Sequence, residues 1–320
     1  MAGIRAGGIK YAIGVQSAIG TRGAIEEGLP LLEHTTPLPI TDSLKSANTT
    51  RPDYGFEEEY HITGTVYYTA RVRIPFSPAW ACRLLDLYFE NTVPGAASNY
   101  DRQYNTQDIP PEPSEWLSLW KYTAKAGLDH NTVGVGGVIY GIAIEGAENQ
   151  ALTLSADIAF ASREDAIATG TPSDWDINES SGDYTPIRNS DCTMIVGGAP
   201  RGIVSWNVSI QQEFRAHFYA SQNPNRISRK GYRVEGQFVL RDKDAILETF
   251  ESNFLSSTSG LLLISAGVNS ITLATQKIHA PEIKEDKGTR YGTYNFTGLG
   301  DETTGMPPVR ISLRPQIARL

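Results

Sequence analysis

The sequence predicts a mainly β protein of two tandem domains, each flanked by one α-helix. Three observations carry that expectation. Segments rich in Val, Ile, Thr, Tyr and Phe alternate apolar and polar residues with the period of a pleated strand. A short pattern occurs twice in the chain, and a helical pattern follows each copy. The 320 residues also exceed the usual size of one hydrophobic core.

In chain order, the first long alternating segment is Tyr60–Ile74. A helix over Ser77–Glu90 follows it. Ser77 suits the N-cap, Pro78 suits the first helical position because its missing N–H has no partner there anyway, and Ala81, Leu84, Leu85 and Tyr88 share one face. Thr92–Glu115 carries Pro94, Pro110, Pro111 and Pro113 and reads as a long insertion loop. Strands are predicted over Val138–Ile144 and Leu152–Phe160. Arg163–Pro200 is a run of breakers with little periodic apolar content and reads as a linker, which divides the chain into domains at 1–162 and 201–320 with 163–200 between them. Beyond it, strands are predicted over Val204–Phe218 and Tyr232–Leu240, and a second helix starts at Asp242 and presents Ile246, Leu247, Phe250 and Phe254 on one side. Leu261–Ser265, Ile271–Ile278, Tyr291–Thr297 and Val309–Leu313 complete the strands.

The repeat aligns Pro52–Gly64 with Pro224–Gly236 without a gap. Pro52 falls on Pro224, Asp53 on Asn225, Tyr60 on Tyr232, Ile62 on Val234 and Gly64 on Gly236. Each copy therefore leads a strand towards a helix, as a duplication would.

Composition narrows the function. Apolar residues make up 40% and charged residues 20%, enough for a folded core, and the formal charge of −8 argues against tight nucleic-acid binding, which needs many Lys and Arg contacts to phosphates. No segment has the apolar length of a membrane helix, and the chain reads as soluble and unsecreted. The two cysteines, Cys82 and Cys192, read as reduced thiols, with Cys82 a small buried hydrophobe.

Catalytic, cofactor and metal patterns are missing. His34, His61, His130, His217 and His279 are scattered, and neither a nucleophile elbow nor a P-loop occurs. Gly134, Gly136, Gly137 and Gly141 precede a strand where a dinucleotide site requires a helix, so they read as a glycine-rich turn. Asp174, Asp176 and Asn178 open like a calcium loop, but Glu179 stands where glycine is required. The expectation is a non-enzymatic protein with no cofactor.

The layout resembles the tail tube proteins of long-tailed bacteriophages. The resemblance rests on Val204–Glu213, Tyr232–Leu240, the helix from Asp242 and the strands to Leu313, and in the first half on His61–Val66, the Ser77–Glu90 helix, Gly141–Gly146 and Leu152–Phe160. It implies two tandem β-sandwich or barrel domains and a subunit that assembles with itself, three chains making a pseudo-sixfold ring and rings stacking into a tube. It further implies a virion tail assembled in the host cytoplasm, tape-measure and tail-tip or terminator proteins as partners, and genomic DNA that crosses the lumen without being gripped. The acidic net charge suits a lumen of negative potential. Within the repeat, Glu57 and Glu58 align with Arg229 and Lys230, and Arg226 adds positive charge nearby, so these five are candidate assembly contacts. The alternative function is a carbohydrate- or ligand-binding β-sandwich, with Trp80, Trp116, Trp120, Trp175 or Trp206 as its platform.

Overall fold

The computed structural model describes residues 9–33, 38–41, 66–90, 102–106, 109–125, 128–165, 184–196, 199–200, 202–219, 223–242, 260–267, 269–279, 282–286, 289–299 and 307–315. The first half begins with strands β1 (Ile9–Gln16), β2 (Glu27–Gly28), β3 (Leu38–Thr41) and β4 (Val66–Pro75), then helix α1 (Pro78–Phe89). Strands β5 (Arg102–Asn105), β6 (Trp116–Lys125), β7 (Leu128–Ala147), β8 (Thr153–Phe160) and β9 (Ser162–Asp165) follow. After them come β10 (Thr193–Val196), β11 (Ala199–Pro200), β12 (Ile203–His217) and β13 (Arg226–Asp242). The chain ends with β14 (Gly260–Ala266), β15 (Asn269–Ile278), β16 (Glu282–Asp286), β17 (Thr289–Leu299) and β18 (Arg310–Leu313).

Every pairing is antiparallel, and the mainly β expectation holds. A smaller sheet runs β2-β1-β6-β7-β9. A larger one runs β3-β4-β8-β7-β12-β13-β17. Beyond β17 lie β16 and β15, and β15 leads on to β14 and β10 on one side and to β18 and β5 on the other. The 20-residue strand β7 belongs to both sheets. Its first stretch pairs with β6, from Lys125↔Leu128 to Leu117↔Gly137; its second pairs with β12, from Gln211↔Gly141 to Ser205↔Ala147.

The glycines expected in a turn form the corner of that strand. Gly136 has φ +67°, a left-handed value that disfavours a side chain. A Cβ on Gly134 or Gly137 would lie 2.8 Å or 2.6 Å from the Phe160 ring, so their missing side chains let Phe160 fill the bend. Glycine in a strand interior marks a bend or close approach, and here it does both.

Helix α1 starts as its sequence predicts, with Ser77 Oγ accepting from the Trp80 N–H and Pro78 in the first turn. The expected single apolar face is an underestimate. Eleven of its residues are buried, including Trp80, Asp86 and Leu87, so the helix is enclosed on every side. One cluster of buried side chains joins Leu84 and Leu85 of α1 to Tyr11 of β1, Ile144 of β7, Val208 of β12, Phe238 of β13, Phe296 of β17 and Leu313 of β18.

Several expectations need correction. The supposed insertion loop contains β5, which pairs with β18 and buries Arg102 and Tyr104. The supposed linker begins inside β9 and ends in packed structure: Tyr184 is buried, Asn189 Oδ1 accepts from Trp206 Nε1, and β10 pairs with β14. Asp242, expected to cap a second helix, ends β13; the rest of that helix lies outside the described residues, as do Trp175 and the calcium-like sequence. Strands β1 and β6 were not predicted at all.

Replacing Gly137 with Ala should destabilise the fold by about 1–3 kcal/mol in urea unfolding, because the new methyl group overpacks the Phe160 pocket. Replacing Gly202, beside which a Cβ meets nothing within 4 Å, should change stability by less than about 0.5 kcal/mol.

Candidate functional site

Alternation along the large sheet sorts its residues onto two faces. One face is buried: Val72, Ala156, Ile142, Ile210 and Val234 lie in one transverse row, and Ile74, Leu154, Ile144, Val208 and Phe296 in the next. The opposite face is polar across β4, β8, β7, β12, β13 and β17. Its rows run Arg71–Asp157–Gly141–Gln211–Arg233, then Arg73–Ser155–Ala143–Ser209–Glu235–Thr297, then Thr153–Glu145–Asn207–Gln237–Asn295. Six strands at the ordinary spacing of about 4.8 Å make a face about 24 Å across. At its end beside the β7–β8 turn is a depression of about 320 Å³, bordered by Arg73, Glu145, Gln150, Thr153, Asn207 and Gln237.

The charges on this face occur in pairs. Arg73 reaches Glu145 at 3.1 Å and Glu33 at 3.0 Å, Arg241 reaches Glu148 at 3.0 Å, and Arg71 lies 3.8 Å from Asp157. Arg233 pairs with Glu235 two residues along its own strand. Negative charge on this face is therefore largely offset, with four arginines standing beside five carboxylates, Glu33, Glu145, Glu148, Asp157 and Glu235.

A second group of charges holds α1 in place. Arg83 donates to Glu27 Oε2 at 2.6 Å, and the Tyr184 hydroxyl donates to Glu27 Oε1 at 2.9 Å. Asp86 accepts from Arg102 and, at 2.8 Å, from the Tyr104 hydroxyl. Burial pushes the thiol of Cys82, in the same turn, up to about 12, so it remains a protonated core residue and not a nucleophile.

At the helix C-terminus Glu90 takes a left-handed conformation, φ 51°, which costs a residue with a side chain roughly 1–2 kcal/mol. Its carboxylate accepts from Ser114 N–H and Oγ–H and from Arg229 Nη2. Arg229 is fully buried. Its Nη1 donates to the carbonyls of Tyr88 at 2.9 Å and Ile139 at 3.0 Å, and the guanidinium lies 5.6 Å from the Tyr88 ring centre. A cation here satisfies a carbonyl that the last helical turn leaves open and complements the helix dipole. Burial pulls the Arg229 guanidinium below its ordinary value, while Glu90 favours its charged form.

These positions decide the fate of the predicted contacts. Arg229 faces the interior and is no assembly contact; its backbone N–H is also engaged, with the Pro111 carbonyl. Arg226 is half exposed and pairs with Glu112, and Lys230 is exposed beside the β12–β13 bulge. Glu57, Glu58, Pro52, Tyr60 and Gly64 lie outside the described residues. In the second repeat copy, Pro224 is buried before β13, Gly236 packs under Phe296, and Tyr232 is thrown outward by a bulge at Gly231, which has φ +58°. Trp80, Trp120 and Trp206 are buried and Trp116 is half-buried, so none of the four forms an exposed platform. Among the described residues no His, Cys, Asp or Glu cluster is placed to hold a metal, and no helix is long and apolar enough to cross a membrane.

Replacing Arg229 with Met should cost about 3–5 kcal/mol in urea unfolding, because Glu90 would be left without its buried cation. Replacing Arg241, whose ion pair is half exposed, should cost less than about 1 kcal/mol. Comparison with protein-family models and with curated proteins finds no match to this chain.

Proposed function

We propose that the chain is the structural subunit of a self-assembling tube of the kind that forms the tail of a long-tailed bacteriophage, and that its work is assembly and not catalysis. The observation that carries this reading is the polar sheet face, which runs without a break from β4 of the first half to β17 of the second. Such a face is wide and polar, as the wall of an aqueous conduit requires.

The junction between the halves supports the same reading. There β7 and β12 pair edge to edge over seven residue pairs, and two stretches of sheet become one. A ring would repeat that kind of junction between chains, leaving no strand edge free once it closes. Strand β16 pairs only with β17 among the described strands and exposes Glu282, Lys284 and Glu285, charges that discourage unspecific edge pairing. In this reading three copies make a ring of six domains, rings stack in the virion tail after assembly in the host cytoplasm, and the partners are further copies, a tape measure and tail-tip or terminator proteins. Genomic DNA passes along the polar face. Of the five tryptophans offered for the ligand-binding alternative, Trp80, Trp120 and Trp206 are buried, Trp116 is half-buried and Trp175 lies outside the described residues.

Negative-stain electron microscopy of the concentrated protein tests the proposal. Hollow filaments with a regular axial repeat and three chains per ring are expected. Globular particles that never associate, across a range of salt and protein concentration, would refute it.

A further inference from the structure

We propose that the polar face is a masked arginine lattice, in which carboxylates placed beside the arginines keep a nucleic-acid phosphate backbone from being held. The proposal rests on the conduit reading above and adds the residues that govern passage. Four arginines sit on this face, Arg71 and Arg73 on β4 and Arg233 and Arg241 on β13. Strands β4 and β13 are four strand spacings apart, about 19 Å, so the arginines flank the face and a duplex lying along it would contact both rows.

Between them, β8 and β7 carry Asp157 and Glu145, and β12 carries the neutral Ser205, Asn207, Ser209 and Gln211. Each arginine has a carboxylate within ion-pair distance: Arg71 with Asp157, Arg73 with Glu145 and Glu33, Arg233 with Glu235, and Arg241 with Glu148. Affinity for nucleic acid grows with the number of phosphates that Lys and Arg neutralise and with the counterions this releases. An arginine already neutralised by a neighbour contributes little to that release. The pairs themselves are half exposed and add little stability, so their main effect is on the charge that the face presents.

The alternating pattern makes the consequence specific. Removing the carboxylates uncovers a lattice of guanidinium groups and turns a surface that lets DNA slide into one that grips it. The same number of carboxylates can be removed elsewhere, beside Arg226, Arg22 and Arg163, without uncovering a lattice.

The test is fluorescence anisotropy of a labelled short DNA duplex with the full-length dissociated protein, titrated at several salt concentrations. The face variant carries Asp157→Asn, Glu235→Gln and Glu148→Gln, which free Arg71, Arg233 and Arg241, each paired with one of these carboxylates; a control of equal net charge carries Glu112→Gln, Glu164→Gln and Asp165→Asn. The parent and the control should bind weakly and alike, while the face variant binds at least about ten-fold tighter with a steeper salt dependence. Adding Arg71→Gln, Arg233→Gln and Arg241→Gln to the face variant should abolish the gain. If the triple variant does not fold, as judged by near-ultraviolet circular dichroism, Glu235→Gln alone, at a half-exposed position, should still give a smaller gain over the parent. Equal binding by face variant and control, or tight binding by the parent, would overturn the proposal. Electron microscopy of the same samples separates the two claims: a gain in binding without tubes keeps the masking and refutes the conduit, whereas tubes without a gain refute the masking alone.

Discussion

One strand must serve two sheets, and most of the architecture follows from that constraint. Strand β7 pairs with β6 along its first stretch and with β12 along its second, so it has to bend sharply without losing its ladder. Gly136 supplies the left-handed backbone, while Gly134 and Gly137 supply the space that Phe160 fills. The bend also brings Ile139 within reach of Arg229, whose cation closes the end of α1. Corner, aromatic plug and buried helix are thus mutually dependent parts of one arrangement.

Two kinds of charge occur in the molecule and obey different energetics. Around α1 the ion pairs are buried, and each oxygen of Glu27, Asp86 and Glu90 is engaged by a donor. Pairs of this sort add little net stability over an apolar core but make the loss of one partner costly, which favours a single position for the helix. On the polar face the pairs are exposed and energetically slight, and their significance is the potential they leave on the surface. The overall acidity of the chain describes neither group, because it averages over positions that the fold separates.

The sequence was legible where local chemistry decides structure. The alternation of Val204–Phe218 is strand β12 almost to the residue, and the Ser77–Pro78 start of α1 is visible because an N-cap and a first-turn proline each act within a few residues. It was less legible where long-range packing decides. Strand β6, WLSLWKYTAK, sets its two faces against different hydrophobic clusters and shows no clean period of two, whereas β1, IKYAIGVQ, does alternate through Ile9, Tyr11, Ile13 and Val15, a local signal that was present and passed over. Gly134 and Gly137 of β7 resemble part of a turn in sequence because the ring they accommodate, Phe160, comes from the following strand. Arg229 resembles a surface charge for a similar reason: its three acceptors lie 90 to 141 residues earlier. The polar face itself could be inferred only after the strand order was known, since its rows draw single residues from six strands.

In the proposed assembly this face lines an enclosed passage. Cysteine accessibility tests it most directly, with Asn295, exposed on the β17 part of the face, replaced by Cys in a Cys192→Ser background. In assembled filaments the new thiol should react with N-ethylmaleimide but not with a polymer-linked maleimide too large to enter a narrow tube, and it should react with both once the filaments are dissociated. Equal reaction with the large reagent in filaments and in free subunits would place the face on the outside and contradict the account.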